Sequence, residues 1–168
     1  AKASMLLRLG TPLGWFTDSA KSGGGPVIDI GVHAIDCAWY LLGRPKPVRV
    51  SASTSFAIGD YKTKGVTRWV ALDSDVTAFD TEDSAVGLFH FENGSAMMFD
   101  VSWAMNIEDT DRTMICGDKA GAQLNHSPGA ESIAIFAEED DYLTDNRPKV
   151  PPINPYEAEI DYFLQCLK

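Results

Sequence analysis

The chain has 168 residues, 45% of them hydrophobic and 23% charged, with a net charge of −10. That profile predicts one globular domain large enough to bury a core. The acidic balance argues against phosphate backbones and anionic membrane surfaces, which select for clustered Lys and Arg, so no nucleic acid and no membrane are expected as partners; small molecules and proteins remain.

The first twenty residues, with Gly10-Thr11-Pro12-Leu13-Gly14 and then Trp15-Phe16-Thr17-Asp18, read as loop or edge strand. A long apolar helix is predicted from Val27 to Leu42, with Gly25 as its N-cap, Pro26 at its first position, and Gly43 and Pro45 ending it. Val48, Val50, Ala52 and Thr54 then alternate with other residues as a strand does, and Val66 to Leu72 is again β-branched and aromatic. The clearest hairpin is Ser84 to Phe91 against Ser95 to Met105, around Glu92-Asn93-Gly94. If Phe91 pairs with Ser95, then Phe89, Met97, Phe99, Val101 and Trp103 share an apolar face, and His90, Asp100 and Ser102 the other.

A second hairpin is expected from Arg112 to Cys116 and Ala122 to Leu124, joined through Gly117 to Gly121, with Ile133 to Phe136 extending the sheet. After an acidic loop, Glu138 to Asp141, and a proline-rich stretch, Arg147 to Pro152, a last helix begins with Asn154 as cap, Pro155 at its first position and Glu157 at its third. Ile160, Phe163, Leu164 and Leu167 are still in helical register at Lys168, so the chain is expected to be a domain cut from a longer protein.

Cys37, Cys116 and Cys166 are far apart and match no zinc spacing, so they are read as reduced, buried small side chains. No apolar run reaches the length of a bilayer, and Ala1 to Gly10 lacks the core and cleavage site of a signal peptide, so a cytoplasmic protein is expected.

The chemistry concentrates on the first helix. Asp29, His33, Asp36 and Tyr40 interrupt an otherwise apolar segment at spacings of 4, 3 and 4, which at helical period gathers them into one narrow stripe. The stripe can be the exposed edge of a core helix, but such edges are usually filled by Lys, Glu, Gln and Arg rather than by groups that transfer protons. A carboxylate one turn from an imidazole can fix its tautomer and suit it to take a proton from a hydroxyl, and either Asp29 or Asp36 could serve His33 in this way. His33 with two carboxylates could also hold a metal, but no other residues stand at a ligand spacing, so no metal is expected. Gly23-Gly24-Gly25 lacks a preceding strand and a GxGxxG spacing, and reads as close backbone approach to a neighbouring domain or ligand rather than as a phosphate cradle.

The run Gly-Gly-Gly-Pro-Val-Ile-Asp-Ile-Gly-Val-His-Ala-Ile-Asp at 23–36, followed by Trp39-Tyr40-Leu41-Leu42-Gly43, resembles the hallmark segment of the glucose-fructose oxidoreductase, inositol dehydrogenase and rhizopine-catabolism (Gfo/Idh/MocA) family. The likeness extends through Trp15, Glu82-Asp83, Asn93-Gly94, Ser102-Trp103, Cys116-Gly117 to Gly121, and Tyr156 to Phe163. It implies the family's C-terminal domain over residues 1–168: an α+β fold with an open, mainly antiparallel sheet, helices packed on one face as in the C-terminal domain of glyceraldehyde-3-phosphate dehydrogenase, and the other face an interface between like subunits.

In that family hydride passes between a sugar, cyclitol or related polyol and NAD or NADP. The resemblance implies His33 as acid/base, Asp29 as the residue that orients it or binds substrate, Asp36 and Tyr40 as supporting residues, and Trp15, Gly24 and Gly25 as substrate-binding candidates. The family's Rossmann domain, with its glycine-rich turn and Glu-Lys-Pro lysine, has no counterpart in these residues, so the chain alone is expected neither to hold the cofactor well nor to turn over. The rival expectation is a non-catalytic sugar- or protein-binding module of the same fold.

Overall fold

The computed structural model describes residues 1–12, 14–57, 79–127 and 132–167. Its strands are β1 (Lys2–Leu6), β2 (Pro47–Ser55), β3 (Ser84–Phe91), β4 (Ala96–Ser102), β5 (Thr110–Cys116), β6 (Ala120–Asn125), β7 (Ile133–Glu139) and β8 (Tyr142–Asn146). Its α-helices are α1 (Ser19–Ser22), α2 (Val32–Leu41) and α3 (Pro155–Cys166). The strands form one open sheet in the order β2-β3-β4-β1-β5-β6-β7-β8. Every pairing is antiparallel except that of β1 with β4. The strand expected at residues 66–72 lies outside the described residues.

The chain's beginning departs from expectation. Lys2–Leu6 is neither loop nor edge but a central strand, parallel to β4 on one side and antiparallel to β5 on the other. Its residues, Lys-Ala-Ser-Met-Leu, carry no β-branched side chain, so local propensity is silent. The strand is set by its two partners and by burial on both faces, with Ala3, Ser4 and Leu6 all buried.

The central hairpin forms as read. The Phe91 N–H donates to the Ser95 carbonyl, and Gly94 takes the positive φ, +83°, that the turn requires. Of the predicted apolar face, Met97, Phe99, Val101 and Trp103 are buried and Phe89 is half-buried against them; Phe91 is buried as well, and β4 ends at Ser102 rather than running to Met105. Ser102, assigned to the polar face, is also fully buried; its hydroxyl donates to the Asp83 carbonyl at 3.2 Å.

The connection between β5 and β6 is shorter than expected, leaving only residues 117–119 outside the strands. The acidic stretch is no open loop: Glu138 and Glu139 end β7, and Asp140 and Asp141, with φ of 51° and 66°, make the tight turn into β8.

Helix α2 covers one face, packed on β5, β1 and β4. It approaches closely because the residues it buries are Ala34 and Ala38, set against Ala3, Phe99 and Val101 of the sheet. Helix α3 starts as predicted, with the Asn154 side chain accepting from the N–H groups of Tyr156 and Glu157, but every described residue along it is exposed. Strand β2 is a fully exposed edge that admits Pro47 at its start and a register shift between Pro47 and Arg49. No helix of the described residues is long and apolar enough to cross a membrane.

The register makes a direct prediction about core packing. Met97 is 1% exposed beneath α2, while its neighbour Met98 is 52% exposed on the opposite face. In urea unfolding, Met97→Ala should lose about 2–5 kcal/mol of stability, whereas Met98→Ala should change it by no more than about 0.5 kcal/mol.

Candidate active site

The helix that carries the polar stripe does not begin as an ordinary α-helix. After Pro26, residues Val27–Gly31 wind as a π-helix, a wider turn often found at functional sites, and only then does α2 start. The cause lies in the contacts of its glycines. A Cβ on Gly25 would stand 2.1 Å from the Glu82 carbonyl oxygen, and one on Gly31 would stand 3.1 Å from Val101. The chain is pinned to the segment before β3 at one end and to β4 at the other.

Gly25 does make a close backbone approach, but its neighbour is Glu82 of this same domain rather than the expected neighbouring domain or ligand. Its N–H donates to Glu82 Oε1 at 3.0 Å, so this amide is not free for a ligand. Gly24 is half-buried, and its N–H points to the Ser22 hydroxyl at 3.4 Å. Trp15 is 41% exposed and its ring stacks on Phe16, with centroids 4.0 Å apart.

Along the stripe, Asp29 is half-buried, while His33, Asp36 and Tyr40 are exposed. One oxygen of Asp29 accepts from the indole N–H of fully buried Trp103 at 2.8 Å. The Asp29 carboxylate is thus anchored to the end of β4, and no hydrogen bond joins it to His33. Asp36 stands one turn beyond His33. Tyr40 lies two turns on, about 10 Å along the axis, where its ring carries the Arg44 guanidinium at 4.8 Å. The fold brings Asp29, His33 and Asp36 together and leaves Tyr40 with Arg44. His90 is on the opposite face, where Nε2 meets the Arg49 guanidinium at 2.9 Å.

Two residues that sequence reasoning passed over, Asp111 and His126, lie on or beside strand β5, on which the helix that carries His33 packs. Asp111 pairs with Met5 across β1 and β5, which turns its side chain toward the face covered by α2. The backbone of His126 donates to the Asp111 carbonyl at 3.0 Å, and its ring Nε2 lies 3.3 Å from the Thr113 hydroxyl. Burial pushes the Asp111 carboxyl above the usual carboxylate range, opposed by positive charge on His126 and, to a smaller extent, on His33. The signal was present in the alternation Asp111, Thr113, Ile115; a strand begun one residue earlier would have put Asp111 on the apolar face. Among the described residues no group of His, Cys, Asp and Glu is arranged to hold a metal ion.

With this geometry in place, likeness to known proteins decides the family. The GFO/IDH/MocA C-terminal domain profile matches residues 3–123. The chain belongs to that family. D-glucoside 3-dehydrogenase of Escherichia coli (strain K12) is 40% identical over 127 residues, 73% of this chain and 34% of that protein. A putative UDP-kanosamine synthase oxidoreductase subunit of Amycolatopsis mediterranei (strain S699) is 34% identical over 93 residues, 54% of this chain and 25% of that protein. The chain thus spans about a third or less of the curated relatives it matches.

The fold is that of solved family members. An aldose-aldose oxidoreductase from Caulobacter crescentus complexed with glycerol superposes with a TM-score of 0.69 at 22% identity, over 99% of this chain and 44% of that one. Levoglucosan dehydrogenase in complex with NADH and levoglucosan gives a TM-score of 0.65 at 20% identity, over 92% of this chain and 40% of that one. The expected open, mainly antiparallel sheet of the family's C-terminal domain is what the chain adopts.

The raised titration of Asp111 has a consequence for stability. A carboxyl whose folded pKa exceeds its unfolded value opposes folding once pH is above both, and ceases to do so once pH is below both. Asp111→Asn should therefore raise the melting temperature at pH 7, and the gain should disappear near pH 3 when both states of the wild type are protonated. Thermal unfolding of the two proteins across that range checks the sign.

Proposed function

We propose that this chain is the substrate-binding part of an NAD(P)-dependent dehydrogenase acting on a sugar, cyclitol or related polyol. His33 acts as the general acid/base on the reacting hydroxyl. The observation that carries the reading is an exposed His33 beside an Asp29 held in place by the Trp103 indole. An imidazole open to ligand can take the hydroxyl proton, and a carboxylate fixed by one oxygen has the other available to accept from a substrate hydroxyl. Asp29 on this reading binds and orients substrate, and Asp36 adds negative charge one turn away.

The described glycines lack the features of a dinucleotide cradle: the Gly25 amide is engaged by Glu82 and the Gly24 amide points to the Ser22 hydroxyl. The cofactor is on this reading held mainly by a part of the intact protein outside these residues. When bound, nicotinamide supplies the hydride acceptor. The 40% identity to D-glucoside 3-dehydrogenase supports a pyranoside-like substrate. The face of the sheet away from α2, with exposed Val86 and Met98 beside the Lys2–Asp100 ion pair, supports self-association of subunits there.

Replacing His33 with Ala in the intact protein should lower kcat by about 10²-fold or more while leaving the affinity for NAD(H) within about 2-fold. Steady-state kinetics with cofactor binding measured separately tests both parts. Near-normal turnover would sink the role given to His33 and favour a binding module.

A further inference from the structure

Asp111 has a placement that packing alone does not account for. It stands on the face of β5 that α2 covers, in a row with fully buried Thr113, where an apolar side chain would be more stable than a carboxylate. Its carboxylate makes no hydrogen bond among the described residues, although a half-buried carboxylate can accept several. The titratable groups that reach it are His126, from the segment after β6, and His33, from α2; β1 presents only Met5. The neighbour that matters is His33: the helix that carries it packs on this face of β5, and its imidazole is exposed while the Asp111 carboxylate is half-buried without a hydrogen bond.

We propose that Asp111 is a substrate-binding residue, accepting hydrogen bonds from hydroxyls of the sugar whose reacting hydroxyl is served by His33. This assignment rests on the dehydrogenase reading above. A carboxylate with both oxygens unengaged fits a pair of neighbouring hydroxyls, the recurrent pattern of a pyranose or cyclitol, and charge-assisted bonds of this kind are among the strong ones. Asp29, fixed to Trp103, reaches the substrate from the π-turn, and Asp111 reaches it from β5. Hydroxyls on two sides of the reacting carbon are thereby sensed by carboxylates from two different elements, which makes Asp111 a determinant of which stereoisomer binds. His126, bonded to the Asp111 backbone and to Thr113, holds the end of the strand.

The test uses the intact protein with its nicotinamide cofactor and methyl β-D-glucopyranoside as probe, read by calorimetric titration and by steady-state rates. Asp111→Asn should raise the Kd and KM for the glucoside by about 10-fold or more and leave the KM for the cofactor unchanged. Wild-type affinity for the glucoside should fall as pH drops through the titration of Asp111, because protonation removes acceptor sites, and Asp111→Asn should lose that limb. Since Asp111→Asn is expected to be the more stable protein, unfolding does not explain a lost signal. Carboxyl NMR gives a readout without turnover: His33→Gln should move the Asp111 midpoint upward, because a positive neighbour is removed.

An Asp111 midpoint that does not respond to His33→Gln overturns the shared site. A wild type that binds and oxidises the glucoside while Asp111→Asn does so equally well overturns the role of Asp111 and leaves the dehydrogenase reading standing. A wild type that neither binds nor oxidises the glucoside, D-glucose or myo-inositol overturns that reading, and this assignment with it.

Discussion

The backbone of Gly31 rests against Val101 at a separation that leaves a Cβ only 3.1 Å of room, and the site depends on that approach. It lets the helix lie close on β4 and β1, so that Ala34 and Ala38 meet Ala3 and Val101 with no large side chain between them. The same approach is made through a π-turn, whose extra residue per turn changes which way Asp29 points. Asp29 then finds Trp103 at the end of β4 instead of its neighbour on the helix, and the carboxylate becomes part of the sheet's framework. The π-turn thus leaves a fixed acceptor, Asp29, one turn from an exposed imidazole, His33.

Gly25 extends this constraint to the other end of the turn. The Glu82 carbonyl presses on its Cα while the Glu82 side chain accepts from its N–H, so one residue both excludes a side chain at position 25 and satisfies the amide. The orphan donors at the start of a helix usually invite an anion. Here one of them is used internally, which removes one donor for an anion and suits the proposed recognition of hydroxyls by carboxylates.

What was legible in the sequence follows from where local pattern and tertiary contact agree. The hairpin at Asn93-Gly94 was readable to the register because turn chemistry and alternation both specify it, and the Asn154-Pro155 start of α3 because the cap is a local hydrogen bond. Strand β1 was not readable, since Lys-Ala-Ser-Met-Leu has no propensity of its own and becomes a strand only between β4 and β5. The π-turn was hidden for a similar reason: helical spacing assigns Asp29 to the side of His33, and only the contact of Gly31 with Val101 makes the winding differ. Asp29 and His33 were visible as residue types on one helix, whereas Trp103, which bonds Asp29, follows β4 and Asp111 lies on β5, about seventy to eighty residues away.

Asp29 and Asp111 are maintained by opposite means. Asp29 is satisfied by a buried donor and its geometry is fixed. Asp111 is partly desolvated with no donor of its own, and burial raises its pKa. A group left in that condition costs stability that a substitution by Asn would recover. Packing alone would favour an apolar side chain there, as at Ala3 and Val101 on the same face. A ligand that brings hydroxyl donors removes the cost, because each hydrogen bond it makes to Asp111 favours the ionised form that burial opposes. On the proposed assignment, the stability lost by partly desolvating Asp111 would be recovered on binding, and only by ligands with hydroxyls in the right place.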